Sequence, residues 1–193
     1  MPKRQSPAAN EVYQLKITLR DARPPIWRRV LVTDATTLHQ LHGIVQAAMG
    51  WTNSHLHQFI VDEEYYSQKD FELDDWGHEV KNEERVRLAA LALVPKRKFT
   101  YEYDFGDGWD HEILVEKVYA PEEGARYPQC MAGKRACPPE DCGGVWGYER
   151  FLEVIKDEDD PEHEEMLEWA GGTFDPEAFN LEEVNQELKS MVR

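Results

Sequence analysis

From Val12 to Leu19 apolar and polar side chains alternate in strand fashion, a period that suits a β-strand with one face buried. The same signal recurs through the first two thirds of the chain. Ile26 to Val32 reads as a second strand, set off from the first by Arg23-Pro24-Pro25, which cannot continue a ladder because proline lacks an amide donor. The two make a hairpin or an adjacent pair. Leu56 to Val61 reads as a third strand, introduced by the turn-forming Asn53-Ser54. Phe99 to Asp104 and Trp109 to Val118 are two more, joined by Phe105-Gly106-Asp107-Gly108, where glycine supplies positive φ at little cost.

Helical spacing appears once early and then dominates the end of the chain. Leu38, Leu41, Ile44, Val45, Ala48 and Met49 form one stripe, Thr37 and Gln40 form a capping box, and Gly50 is a fitting stop. After residue 147, Tyr148, Phe151, Leu152 and Ile155 line a helical face. Asp160-Pro161 opens a helix over Glu162 to Ala170 that Gly171-Gly172 ends, Asp175-Pro176 repeats the start signal, and Asn180 with Glu183 caps a last helix carrying Leu181, Val184 and Leu188. Residues 62–84 are polar and irregular with a short strand near Tyr65-Tyr66, and Arg85 to Val94 suits a short helix or a strand. Strands first and helices last select an α+β class: a mixed or mainly antiparallel sheet, one packed helix, a long Cys/Gly/Pro loop and a C-terminal helical segment. Residues 1–10 are expected to be a flexible arm and 11–193 a single domain.

Charge limits the partners. Thirty-eight acids against 22 bases give a net charge of −16, which repels phosphate backbones at long range. Arg20, Arg23, Arg28 and Arg29, and Lys96, Arg97 and Lys98, are short basic clusters of the kind found at solvated strand ends, so direct nucleic-acid binding is disfavoured. No apolar run approaches the roughly 20 residues that cross a bilayer, and the first ten residues lack the apolar core of a secretory signal. An odd count of three cysteines argues against a secreted disulfide framework and for the cytoplasm.

Four constellations could carry chemistry. Asp104, Asp107, Trp109 and His111 crowd a hairpin tip, where carboxylates and an imidazole could hold a divalent metal or do acid–base work; the same residues also make an ordinary tight turn. The Asp104-Phe105-Gly106 triplet copies a kinase motif without its companions, and the Asp spacing fails the calcium-loop pattern. Cys130, Cys137 and Cys142 could bind zinc with His111 or His163 as a fourth ligand, which would order an aperiodic loop; their spacing departs from CxxC knuckles, and three reduced thiols are the alternative. His55 and His57 lie two apart on an expected strand and so share a face, whereas His39 and His42 fall off their helical stripe, as solvent-facing residues do. The acidic run from Asp157 to Glu168 could attract a basic partner or simply be a solvated helix start.

The pieces YQLKITLRDARPPIWRRVLV, TLHQLHGIVQAAMGW, HLHQF, YEYDFGDGWDHEI, YPQCMAGKRACPPEDCGGVWGYERFLEVI and FDPEAFNLEEVN together resemble the plasmid pRiA4b open-reading-frame-3-like family, from about Tyr13 to Asn185. The resemblance implies an α+β fold and an association with plasmids and transposon passenger genes. It implies no reaction, substrate or cofactor, and so supplies no catalytic residue. Three readings follow from residues and resemblance together: a non-enzymatic binding or adaptor protein with a protein partner and a structural metal in the Cys loop; a metal-dependent hydrolase or nuclease-like enzyme using Asp104, Asp107 and His111; and a DNA-binding accessory protein of a mobile element.

Overall fold

The computed structural model describes residues 10–68 and 79–191, so the expected arm falls, except for Asn10, outside the described residues. Among the described residues eight strands form one sheet: β1 (Val12–Leu19), β2 (Trp27–Thr33), β3 (His57–Val61), β4 (Glu64–Ser67), β5 (Val80–Asn82), β6 (Lys98–Tyr103), β7 (Trp109–Tyr119) and β8 (Gln129–Lys134). Their order is β5-β4-β3-β6-β7-β1-β2-β8, antiparallel throughout except for the parallel β4–β5 pair. The strand period does what the alternation requires. Leu15, Ile17 and Leu19 of β1 are buried with Tyr101 of β6 and Ile113 of β7, while Gln14, Lys16 and Thr18 are only partly covered. The less covered side chains are tied by polar contacts such as Gln14–Glu116, Arg29–Glu116 and Lys98–Glu112.

Helix α1 (Leu38–Met49) closes the apolar face. Thr37 and Gln40 form the capping box, Gly50 ends the helix at φ 95°, and Leu38, Leu41, Val45 and Ala48 are buried. Removing a Leu or Val side chain of this kind from water contributes about 1.5–3 kcal/mol each. The end of the chain supplies α2 (Gly144–Lys156), α3 (His163–Trp169) and α4 (Leu181–Ser190), with α4 packed on α1 and β8. None of the described helices is long and apolar enough to cross a membrane.

Several expectations change. The stretch before residue 147 is not wholly aperiodic, because Gln129–Lys134 is a strand: it pairs with β2, and only Cys130 of its six residues is fully buried. Of the two alternatives for Arg85 to Val94 a short helix is the one found, a 3-10 turn over Leu88–Leu91, with another over Glu83–Arg85 before it. Asp175 accepts from the Glu177 amide at 2.9 Å and makes a single turn, so no helix starts there. His42 is 1% exposed, not solvent-facing, since its ring bonds Tyr101 and Asn53. The short basic clusters do not all sit in solvent as expected of strand ends: Arg28 is buried and donates to three backbone carbonyls, and Arg29, Arg97 and Lys98 each pair with a carboxylate.

Candidate functional site

The turn after β6 is built by its first residue. Asp104 sits at φ 55°, a left-handed conformation that Asp tolerates better than most residues. Its Oδ1 accepts from the amides of Gly106 at 3.0 Å and Asp107 at 3.3 Å, while its own amide donates to Leu56 O at 2.8 Å and ties the turn to the segment entering β3. One oxygen is thus committed locally, and the other faces His55 Nδ1 at 3.6 Å.

The Cys-bearing loop is drawn over this turn by side chains. Trp51 Nε1 donates to Pro138 O at 3.0 Å, and Glu140 accepts from Thr52 N at 3.1 Å and from the Tyr103 hydroxyl at 2.5 Å. Asp107 Oδ2 accepts from Gly143 N at 3.1 Å. Gly144, at φ 70°, lies so near the Asp107 carbonyl that a Cβ there would stand 2.3 Å from its oxygen. These ties deliver Asp141, itself at φ 60°, to His55, with Oδ1 3.3 Å from Nε2. His55 therefore lies between two carboxylates. One ligand atom from each of His55, Asp104 and Asp141 falls within 4.8 Å of the other two, and this is the one such group among the described residues. Beside it opens a cleft of about 430 Å³ lined by Asn53, Ser54, His55, His57, Gln68 and Asp104.

Behind the cleft lies a buried polar chain. His57 Nε2 and His39 Nδ1 both reach the Glu83 carboxylate at 2.9 Å, and Glu83 is 0% exposed. Burial alone would raise the pKa of Glu83, but the hydrogen bonds from His57 and His39 outweigh it and hold the acid below its ordinary value. The His42 ring stacks on His57 with centroids 3.4 Å apart. Its Nδ1 meets the Tyr101 hydroxyl and its Nε2 meets Asn53 Oδ1, each at 2.7 Å, and burial, with His57 beside it, pushes its pKa down to about 3.

Of the residues singled out from sequence, Asp104 is in this group and Asp107 fastens the loop. Trp109 and His111 are fully buried; His111 Nδ1 bonds Trp109 O at 2.9 Å, its ring edge meets Trp51, and burial pushes its pKa down to about 4. Cys130, Cys137, Cys142 and His111 do not converge as a ligand set, and all three cysteines are free. Burial raises all three thiol pKa values, that of Cys142 to about 12. Order in the loop comes from Trp51, Thr52, Tyr103 and Asp107 instead. His55 and His57 do not share a strand face, because β3 begins at His57 and His55 lies in the preceding bend. Asp141 escapes sequence reasoning, since its only signal is an acid flanked by proline, cysteine and glycine.

The sequence pattern described as Plasmid pRiA4b ORF-3-like protein matches residues 11–183. The chain belongs to this family. A relative, "Uncharacterized protein y4hQ" of Sinorhizobium fredii, is 38% identical over 182 residues, which cover 93% of this chain and 92% of the relative. A crystal structure of a protein of unknown function, MM3350 from Methanosarcina mazei Go1, superimposes with a TM-score of 0.82 at 38% identity and covers 91% of this chain and 98% of its own. The superposition on MM3350 adds support for the fold, the α+β arrangement of sheet and helices described above.

Proposed function

We propose that this pRiA4b ORF-3-like protein is a non-enzymatic binding module whose ligand is a divalent transition cation held by His55, Asp104 and Asp141. The observation that carries the reading is the convergence of those three ligand atoms within 4.8 Å at the edge of a cleft. One imidazole nitrogen with two carboxylate oxygens suits zinc or manganese better than calcium, which takes six to eight oxygens. Asp104 is held in place by the amides of its own turn, so little ordering remains for binding to supply. A structural metal of this kind would lie beside the Cys loop, tethering it through Asp141, rather than on its thiols. A hydrolase built on Asp104, Asp107 and His111 is less well supported, because His111 is 0% exposed and cannot meet a substrate.

Calorimetry and elemental analysis with zinc and with manganese test this. The expected result is one ion per chain, lost in His55→Ala and weakened at least tenfold in Asp141→Asn, with Cys137→Ser unchanged. Uptake that survives His55→Ala, or that vanishes only when the cysteines are replaced, would overturn it.

A further inference from the structure

A second concavity lies on the helical side. A groove of about 280 Å³ between α2 and α3 is lined by Cys142, Arg150, Phe151, Glu165, Met166 and Trp169. Its floor is apolar, with Phe151 3% exposed and the Trp169 ring edge-on to it at 5.9 Å. Trp169 nonetheless stays 48% exposed. Trp146, four residues before Arg150 and so on the same side of α2, is 83% exposed. Large aromatic side chains left in water beside an apolar groove are the usual anchors of a docking surface.

The charge around the groove says what fits. Asp157, Glu158, Asp159, Asp160, Glu162, Glu164, Glu165 and Glu168 supply eight acids with no Lys or Arg among residues 157–169. Among the described residues only Glu162 of the eight forms an ion pair, with Arg150. Glu164, Glu165 and Glu168 lie on α3 itself and are exposed. We infer that the α2–α3 groove docks a basic amphipathic segment of a partner protein, its apolar side chains over Phe151, Met166 and Trp169 and its Lys and Arg side chains against the acids of α3. A second copy of this chain would bring the same acidic run to the interface and be repelled, and an anionic membrane or a nucleic acid would be repelled likewise. The mode is a helix laid in a groove. It does not depend on the cation site, which shares only Asp141 at the groove edge.

Fluorescence anisotropy of a labelled amphipathic Lys/Leu peptide, in EDTA so that no cation contributes, gives the test. Binding is expected to weaken with added sodium chloride, to be absent for the matched Glu/Leu peptide, and to fall by about tenfold or more both in Trp169→Ala and in the triple variant Glu164→Gln, Glu165→Gln, Glu168→Gln. Circular dichroism checks that the variants fold. Trp146→Ala, which removes a side chain that is mostly in water, provides a second aromatic variant and should also weaken binding. No binding, equal binding of the Glu/Leu peptide, or binding untouched by the triple variant would each overturn the inference, whatever the cation measurements give.

Discussion

His42 and Glu83 are polar residues set in an apolar interior, and each is saturated with partners: Tyr101 and Asn53 for the imidazole, His39 and His57 for the carboxylate. Titration is the consequence. His42 takes a proton near 6.5 when unfolded but only at about 3 when folded. Its contribution to stability is therefore full above pH 6.5 and is lost as the pH falls towards 3. His111, lowered to about 4, acts with the same sign. The urea midpoint is expected to fall steeply on acidification from pH 6.5 to 4, and His42→Gln, which keeps an amide for the hydrogen bonds but cannot titrate, should flatten that slope. A variant profile parallel to the parent would show that the histidine is not responsible. At Gly144 the constraint is steric: with φ at 70° and the Asp107 carbonyl oxygen 2.3 Å from where a Cβ would stand, Gly144→Ala must displace the turn or the loop. We expect a loss of about 2–4 kcal/mol in chemical denaturation, together with weaker cation binding, because Asp141 is delivered by the same contact.

Among the elements, β8 shows how an edge strand is closed. Asn185 of α4 accepts from Cys130 N at 2.9 Å and donates to Cys130 O at 2.9 Å, so one side-chain amide occupies the place of a neighbouring peptide group. Asn185→Ala should cost about 1–3 kcal/mol, speed hydrogen exchange at the Cys130 amide and promote concentration-dependent association through the uncovered edge. Unchanged exchange at that amide would refute the capping role. This element is also hard to read from sequence. QCMAGK has no β-branched residue and buries only Cys130 fully, so nothing in its period announces a strand. Helix α1 is legible to its caps, because Thr37, Gln40 and Gly50 act through local backbone chemistry. His42 misleads because a polar side chain off the apolar stripe is assigned to water, whereas its partners Asn53 and Tyr101 come from outside the helix. The candidate site is half legible for the same reason: Asp104 belongs to a local turn, but His55 and Asp141 meet only through a fold-back secured by Trp51, Glu140 and Asp107.

At the scale of the whole molecule the net charge of −16 is the dominant field. Self-repulsion of that size opposes the compact state, and salt screens it over about 10 Å at 0.1 M. The melting temperature should rise between 20 and 300 mM sodium chloride; a fall would mean that surface ion pairs outweigh the repulsion. By the same field, a gel shift with random duplex DNA at physiological salt should show no complex in the micromolar range. The sheet order also carries a consequence in time. β1, the first strand among the described residues, lies inside the sheet, and on one side its partner is β7, with Leu15 opposite Val115. On a ribosome adding about 5–20 residues per second, β1 must wait roughly 5–20 s after it is made before β7 exists to pair with it. Until then the β1–β2 hairpin has its inner edge open, and the nascent chain depends on whatever shields that edge.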